Sequence, residues 1–195
     1  MFTTKCGVSS QWVDLNMYLY HRVPVNLQGN MLFPLNELKQ VHDNLYQFHV
    51  KKYRDREGAL ERRVLPLDCL WNDVLHLSPI HPHKIKKALI EQGLQLSNLG
   101  RYFRFEALNL GLNECNSTFF WSKEQKFGEW SAKESDYFKF DVARLSEMSD
   151  LPPETERYYA QQISIGASPL LYFRTPHVLF KGSINIDESV EIIDC

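Results

Sequence analysis

The sequence predicts an α+β fold of one domain. Strand and helix patterns follow each other without strict β-α-β alternation, which argues against a doubly wound parallel sheet. Seven or eight strand signals stand against three helix signals. A chain of 195 residues also fits a single core, since one core serves up to roughly 250 residues.

Residues 1–14 carry no period and are expected to be loose. From 15 to 23, residues alternate around Met17, Leu19 and His21 on one side and Tyr18, Tyr20 and Arg22 on the other. That period of two predicts a strand, and Pro24 ends it. Between 43 and 54, Leu45, Phe48 and Lys52 or Tyr53 recur at helical spacing behind Asp43, a capping residue type. The charged stretch 55–63 that follows is expected in solvent.

The apolar run 74–78 predicts a central strand. Pro82 then opens a helix with the stripe Ile85, Ala88 and Leu89, and Gly93 stops it. Residues 101–110 alternate as a strand, with further strands over 118–121 and 137–142. Pro152 and Pro153 open a helix through Tyr158, Tyr159 and Ile163 that Gly166 closes. Strands over 170–174, 177–181 and 190–193 complete the chain.

Composition limits the function classes. The chain is 44% hydrophobic with 12 Phe, 9 Tyr and 4 Trp, enough to fill a core. Its net charge of −2 gives no general grip on phosphate backbones. The stretch with Lys51, Lys52, Arg54, Arg56, Arg62 and Arg63 is basic locally, with acids interspersed. No run approaches the roughly 20 apolar residues of a membrane span, and residues 1–6 lack a signal-peptide core, so a cytoplasmic protein without a membrane partner is expected. Cys6, Cys69, Cys115 and Cys195 form no C-x2-C pair and are read as free thiols. Glycine-rich phosphate loops of the Rossmann or Walker type are absent.

Histidines are the candidates for chemistry, because imidazole exchanges protons near neutrality and binds metals. His76, His81 and His83 lie close in sequence, but the spacing lacks a fourth ligand, and no metal is assigned; solvent-facing rings at a helix N-terminus account for them. His21 and His177 differ, since each sits in an apolar strand where a polar ring needs a partner.

Three segments carry a resemblance. Tyr20-His21-Arg22, followed by Val25-Asn26-Leu27 and the segment 35–38, resembles the opening of ADP-ribosyltransferase domains of the DarT type, a strand leading through a turn into a short helix. Val74-Leu75-His76-Leu77-Ser78-Pro79, then 85–89 and Tyr102-Phe103-Arg104-Phe105, is similar to that family's central strand, helix and next strand. Pro176-His177-Val178-Leu179-Phe180-Lys181-Gly182-Ser183-Ile184 is similar to its last strands. The segment 70–76 also resembles a set of uncharacterised bacterial proteins.

The resemblance implies split antiparallel sheets flanked by a few helices, with NAD as substrate and ADP-ribose transferred to RNA, DNA or protein. It implies a toxin of a toxin-antitoxin or phage-defence system, with an antitoxin protein as partner. His21 and His177 fall at its catalytic positions, and Tyr20, His21, Arg22, Trp71 and Ser78 at NAD-binding ones, with Phe120 and Trp121 as further ring faces. Tyr20, His21 and Ser78 are expected to line one cleft. One departure stands out: the family's Glu, which orients a ribose hydroxyl and faces the developing cation, is here His177. Glu106 and Glu156 are the acids considered in its place.

Two other readings use the same residues. A metal-independent ribonuclease would take His76 or His81 as base, His21 or His177 as acid, and Arg22 on the phosphate. A non-catalytic binding module would keep only the fold.

Overall fold

The computed structural model describes residues 17–54, 58, 60–126 and 132–195. The stretch 1–14 expected to be loose, and residues 55–57 and 59 of the charged segment, lie outside the described residues. Among the described residues two antiparallel sheets carry the architecture, and with four α-helices they make it α+β. In the first, β6 (Arg101–Glu106) lies between β1 (Tyr18–Arg22) and β11 (Glu191–Asp194). The second runs β5 (Leu75–Leu77), β9 (His177–Phe180), β7 (Ser117–Phe120), β8 (Tyr137–Lys139). Two short antiparallel pairs join β2 (Met31–Leu32) to the distant β10 (Ile184–Asn185) and β3 (Arg63–Val64) to β4 (Cys69–Leu70).

Period-two alternation sorts the side chains. Leu19, Phe103 and Phe105 from the first sheet meet Leu75, Leu77, Phe119, Val178 and Phe180 from the second in one core. Removing each of these from water contributes roughly 1.5–3 kcal/mol, so this shared layer fixes the sheets against each other. The opposite face of the first sheet packs Tyr102 against α3 (Pro82–Glu91) and α4 (Pro153–Ser164).

Both helices follow their sequence signals. In α3 Pro82 occupies the first turn, Ile85, Ala88 and Leu89 are buried, and Gly93 follows at φ +92°. In α4 the buried residues Thr155, Tyr158, Tyr159 and Gln162 recur at i, i+3, i+4 and i+7, with Gly166 after its end at φ +72°. Positive φ costs glycine nothing, which is why both stops sit there.

Several expectations are corrected. The helix expected over 43–54 is α2 (Asp43–Val50) followed by a 3-10 turn, Lys51–Tyr53. Asp43 does not cap it: the cap position is His42, and Asp43 accepts from Gln47 within the helix. A fourth helix, α1 (Leu35–Val41), precedes it. The strand at 101–110 stops at Glu106 and tightens into a 3-10 turn, Ala107–Leu110. The run 74–78 is no central strand of its sheet: β5 lies at the edge, and β9 and β7 fill the interior.

Residues 170–174 form turns instead of a strand, because helix α4 takes their backbone groups. Tyr158 accepts from the Leu170 N–H, Tyr159 donates to the Leu171 carbonyl, and Thr155 donates to the Phe173 carbonyl. The turn closes on itself as well, with the Phe173 N–H donating to the Leu170 carbonyl at 3.3 Å and the Thr175 N–H to the Tyr172 carbonyl at 3.4 Å.

Candidate functional site

Among the described residues, one backbone β-bridge links the two sheets. Tyr20 and Ser78 exchange both backbone hydrogen bonds at 2.8 Å, and no other β-bridge joins β1 to β5 among the described residues. Beyond it β1 stays with β6, where the Val23 N–H reaches the Arg101 carbonyl, while β5 turns to β9. The strands therefore part, and side chains from both sheets face the gap.

Register places His76 and His177 on one face of the second sheet. His76 pairs with Leu179, which lies two residues from His177, and residues two apart share a face. Their rings stand 6.3 Å apart. Trp71 packs on His76 at 4.5 Å and on Phe120 at 5.1 Å, and Tyr172 lies 5.7 Å from His177. Lys52, on the turn after α2, acts electrostatically on His21 and His76, and His21 in turn acts on His76.

Each of the three imidazoles is held neutral. Burial pulls His21 down to about 4 and His177 to about 4, and burial with the neighbouring His177 pulls His76 to about 3. Each gives one ring nitrogen to a backbone carbonyl: His21 Nδ1 to Arg22 at 2.7 Å, His76 Nε2 to Trp71 at 3.0 Å, His177 Nδ1 to Thr175 at 3.0 Å. A carbonyl only accepts, so that nitrogen carries the hydrogen. The remaining nitrogens, Nε2 of His21, Nδ1 of His76 and Nε2 of His177, then present lone pairs. The cluster is a set of acceptors suited to hydroxyl or amide donors.

Of the residues singled out from the sequence, the gap thus unites His21, Trp71 and His177. Arg22 is exposed, its guanidinium lies against Gly100, and its charge is felt by Tyr172, the neighbour of His177. Tyr20 and Ser78 do not join them. They form a directly opposed pair, so their side chains share a face, and alternation turns His21 to the other. The expected common cleft of Tyr20, His21 and Ser78 is therefore corrected. The Ser78 hydroxyl is spent on Ile80, accepting from its N–H at 3.1 Å and donating to its carbonyl at 3.3 Å. Trp121 donates to the Arg174 carbonyl at 2.8 Å and stacks under Lys123.

Neither acid considered as a substitute enters the gap. Glu106 ends β6 and accepts from Asn109, and Glu156 lies exposed on α4. His76, read from sequence as solvent-facing, is drawn inward by Trp71 and His177. Its signal was the alternation Leu75-His76-Leu77, which sets one polar ring on the face opposite two core leucines. No family model, no curated protein and no solved structure matches this chain.

Proposed function

We propose that the gap between the sheets binds NAD and that the chain transfers ADP-ribose from it to a macromolecule. The observation that carries this reading is the parting of β1 and β5 after one residue pair, with neutral imidazoles from both sheets at the opening. It fits the split-sheet arrangement that the sequence resemblance implies. Lone pairs on His21, His76 and His177 suit the ribose hydroxyls and the carboxamide N–H of NAD, Trp71 offers a ring face, and Arg22 a cation for the diphosphate. In the reaction the bond between ribose C1 and the nicotinamide nitrogen breaks, its electron pair leaves with nicotinamide, and C1 is taken by an acceptor nucleophile that releases a proton. His21 and His177 are the residues assigned to hold the ribose during that step. A chain with this activity would act in the cytoplasm as a toxin restrained by an antitoxin protein, with RNA, DNA or protein as acceptor.

The test is incubation with NAD labelled in its adenylate half, together with RNA, DNA and lysate protein. Label on one acceptor, reduced about a hundredfold or more in His177→Ala, is the expected result. Intact NAD and no labelled acceptor would remove the reading.

One observation favours a second reading, a module that binds a nucleotide without transferring it. The charges acting most on the three rings are imidazoles and Lys52, with no carboxylate among them. A neutral imidazole orients a hydroxyl but places no negative charge opposite a developing cation. Saturable NAD binding without turnover is the outcome that selects it. The ribonuclease reading loses support, because none of the three rings is an imidazolium at neutral pH able to serve as the acid.

A further inference from the structure

Tyr20 faces away from the histidine gap into a cavity of about 200 Å³ bounded by β1, the turn into α3 and the segment 145–149. The residue is only 6% exposed, yet its hydroxyl has no hydrogen-bond partner among the described residues. That hydroxyl is not sealed off from solvent, and with Tyr20 in the cavity lining it can donate to a ligand there. Burial raises this phenol to about 12, which keeps the O–H a donor across the physiological range.

Two further donors line the same cavity. The His81 ring stands edge-on to Tyr20 at 4.9 Å, and its Nδ1 accepts the His83 N–H at 3.1 Å. That bond leaves the hydrogen of neutral His81 on Nε2. Lys84 donates to the Ser149 carbonyl at 3.0 Å and to Asp150 at 2.7 Å, so its stem is fixed at the cavity wall with a third N–H in hand. Met17, Pro79 and Leu145 add an apolar part to the wall, beside Tyr18, Ser146 and Ser149.

We propose that this cavity is a binding site for a phosphate monoester. Three separate donors, from Tyr20, His81 and Lys84, suit the three free oxygens of a tetrahedral phosphate better than a planar carboxylate. The apolar wall accepts the organic substituent. Asp150 competes at the mouth for Lys84, which sets the affinity of the bare ion lower than that of an ester able to use the apolar wall. The site lies across the Tyr20–Ser78 pair from the histidines and is independent of the ADP-ribose reading.

Titration of the full chain with inorganic phosphate and with ribose 5-phosphate, followed through the aromatic resonances of Tyr20 and His81, tests it. Both ligands should shift these signals, the ester binding more tightly; equal affinities would identify free phosphate as the ligand. Tyr20→Phe deletes only the unpartnered hydroxyl and should weaken binding by about fivefold to tenfold, as should His81→Ala, whereas His177→Ala should leave it unchanged. Absence of any shift, or parental affinity in both Tyr20→Phe and His81→Ala, overturns the proposal.

Discussion

A backbone carbonyl decides the state of each ring in the histidine cluster, and this makes the cluster directly observable. At pH 7 the nitrogen-15 shifts of His21 and His177 should report hydrogen on Nδ1, and those of His76 hydrogen on Nε2. An imidazolium pattern at any of them would contradict both the burial and the acceptor role. His21 and His177 were legible in the sequence, because a lone polar ring in an apolar strand demands an explanation. Tyr20 and Ser78 were legible as neighbours but not as to side. Their pairing across strands fixes a shared face, and only the register, which depends on contacts far apart in sequence, shows that His21 points elsewhere.

Among the elements, α4 controls more than its own length. Thr155 is fully buried and donates to the Phe173 carbonyl at 3.0 Å. Thr155→Val keeps the shape and strips the donor, so the carbonyl is left unpaired at a cost of roughly 1–3 kcal/mol. Denaturant unfolding should show that loss, with the melting temperature lower by about 2–4 °C per kcal/mol for a chain of this size. An unchanged midpoint would mean the 170–174 turn is held without the helix. The turn also explains a limit of sequence reading: Leu170 to Arg174 alternates well enough for a strand, but hydroxyls from a helix twelve to eighteen residues earlier claim its backbone. Helices α3 and α4 were readable because proline, the apolar stripe and glycine all agree within one segment. The short pairs β2–β10 and β3–β4 carry too few residues for any period to show.

For the molecule as a whole, the half-buried histidines set a direction for acid stability. In the unfolded chain each would take up a proton near its ordinary value of 6.5, whereas in the fold they resist until about 4, 3 and 4. As pH falls from about 6.5 towards 4 the unfolded state binds more protons than the native one, so stability falls with pH across that window. Below it the loss levels off for these groups. Unfolding free energies measured from pH 7 to pH 4 should decline accordingly, and the triple variant His21→Gln, His76→Gln, His177→Gln should show a shallower decline. Equal slopes in parent and variant would place the acid sensitivity elsewhere.

The strand order has a consequence for synthesis. β5, made by residue 77, finds its ladder partner only in β9, about a hundred residues later, and β6 gains its second neighbour only with β11. Neither sheet is complete until β9 and β11 have emerged from the ribosome, whose exit tunnel hides the most recent residues. Until then Leu75, Leu77 and Phe103 lack the late strands they pack beside, and the nascent chain presents open strand edges. Folding is therefore expected to wait for these two strands, and a chaperone that shields apolar segments in the interval should raise the yield. A stalled chain whose emerged part ends before residue 177 should stay protease-sensitive where one that also exposes residues 177–194 resists.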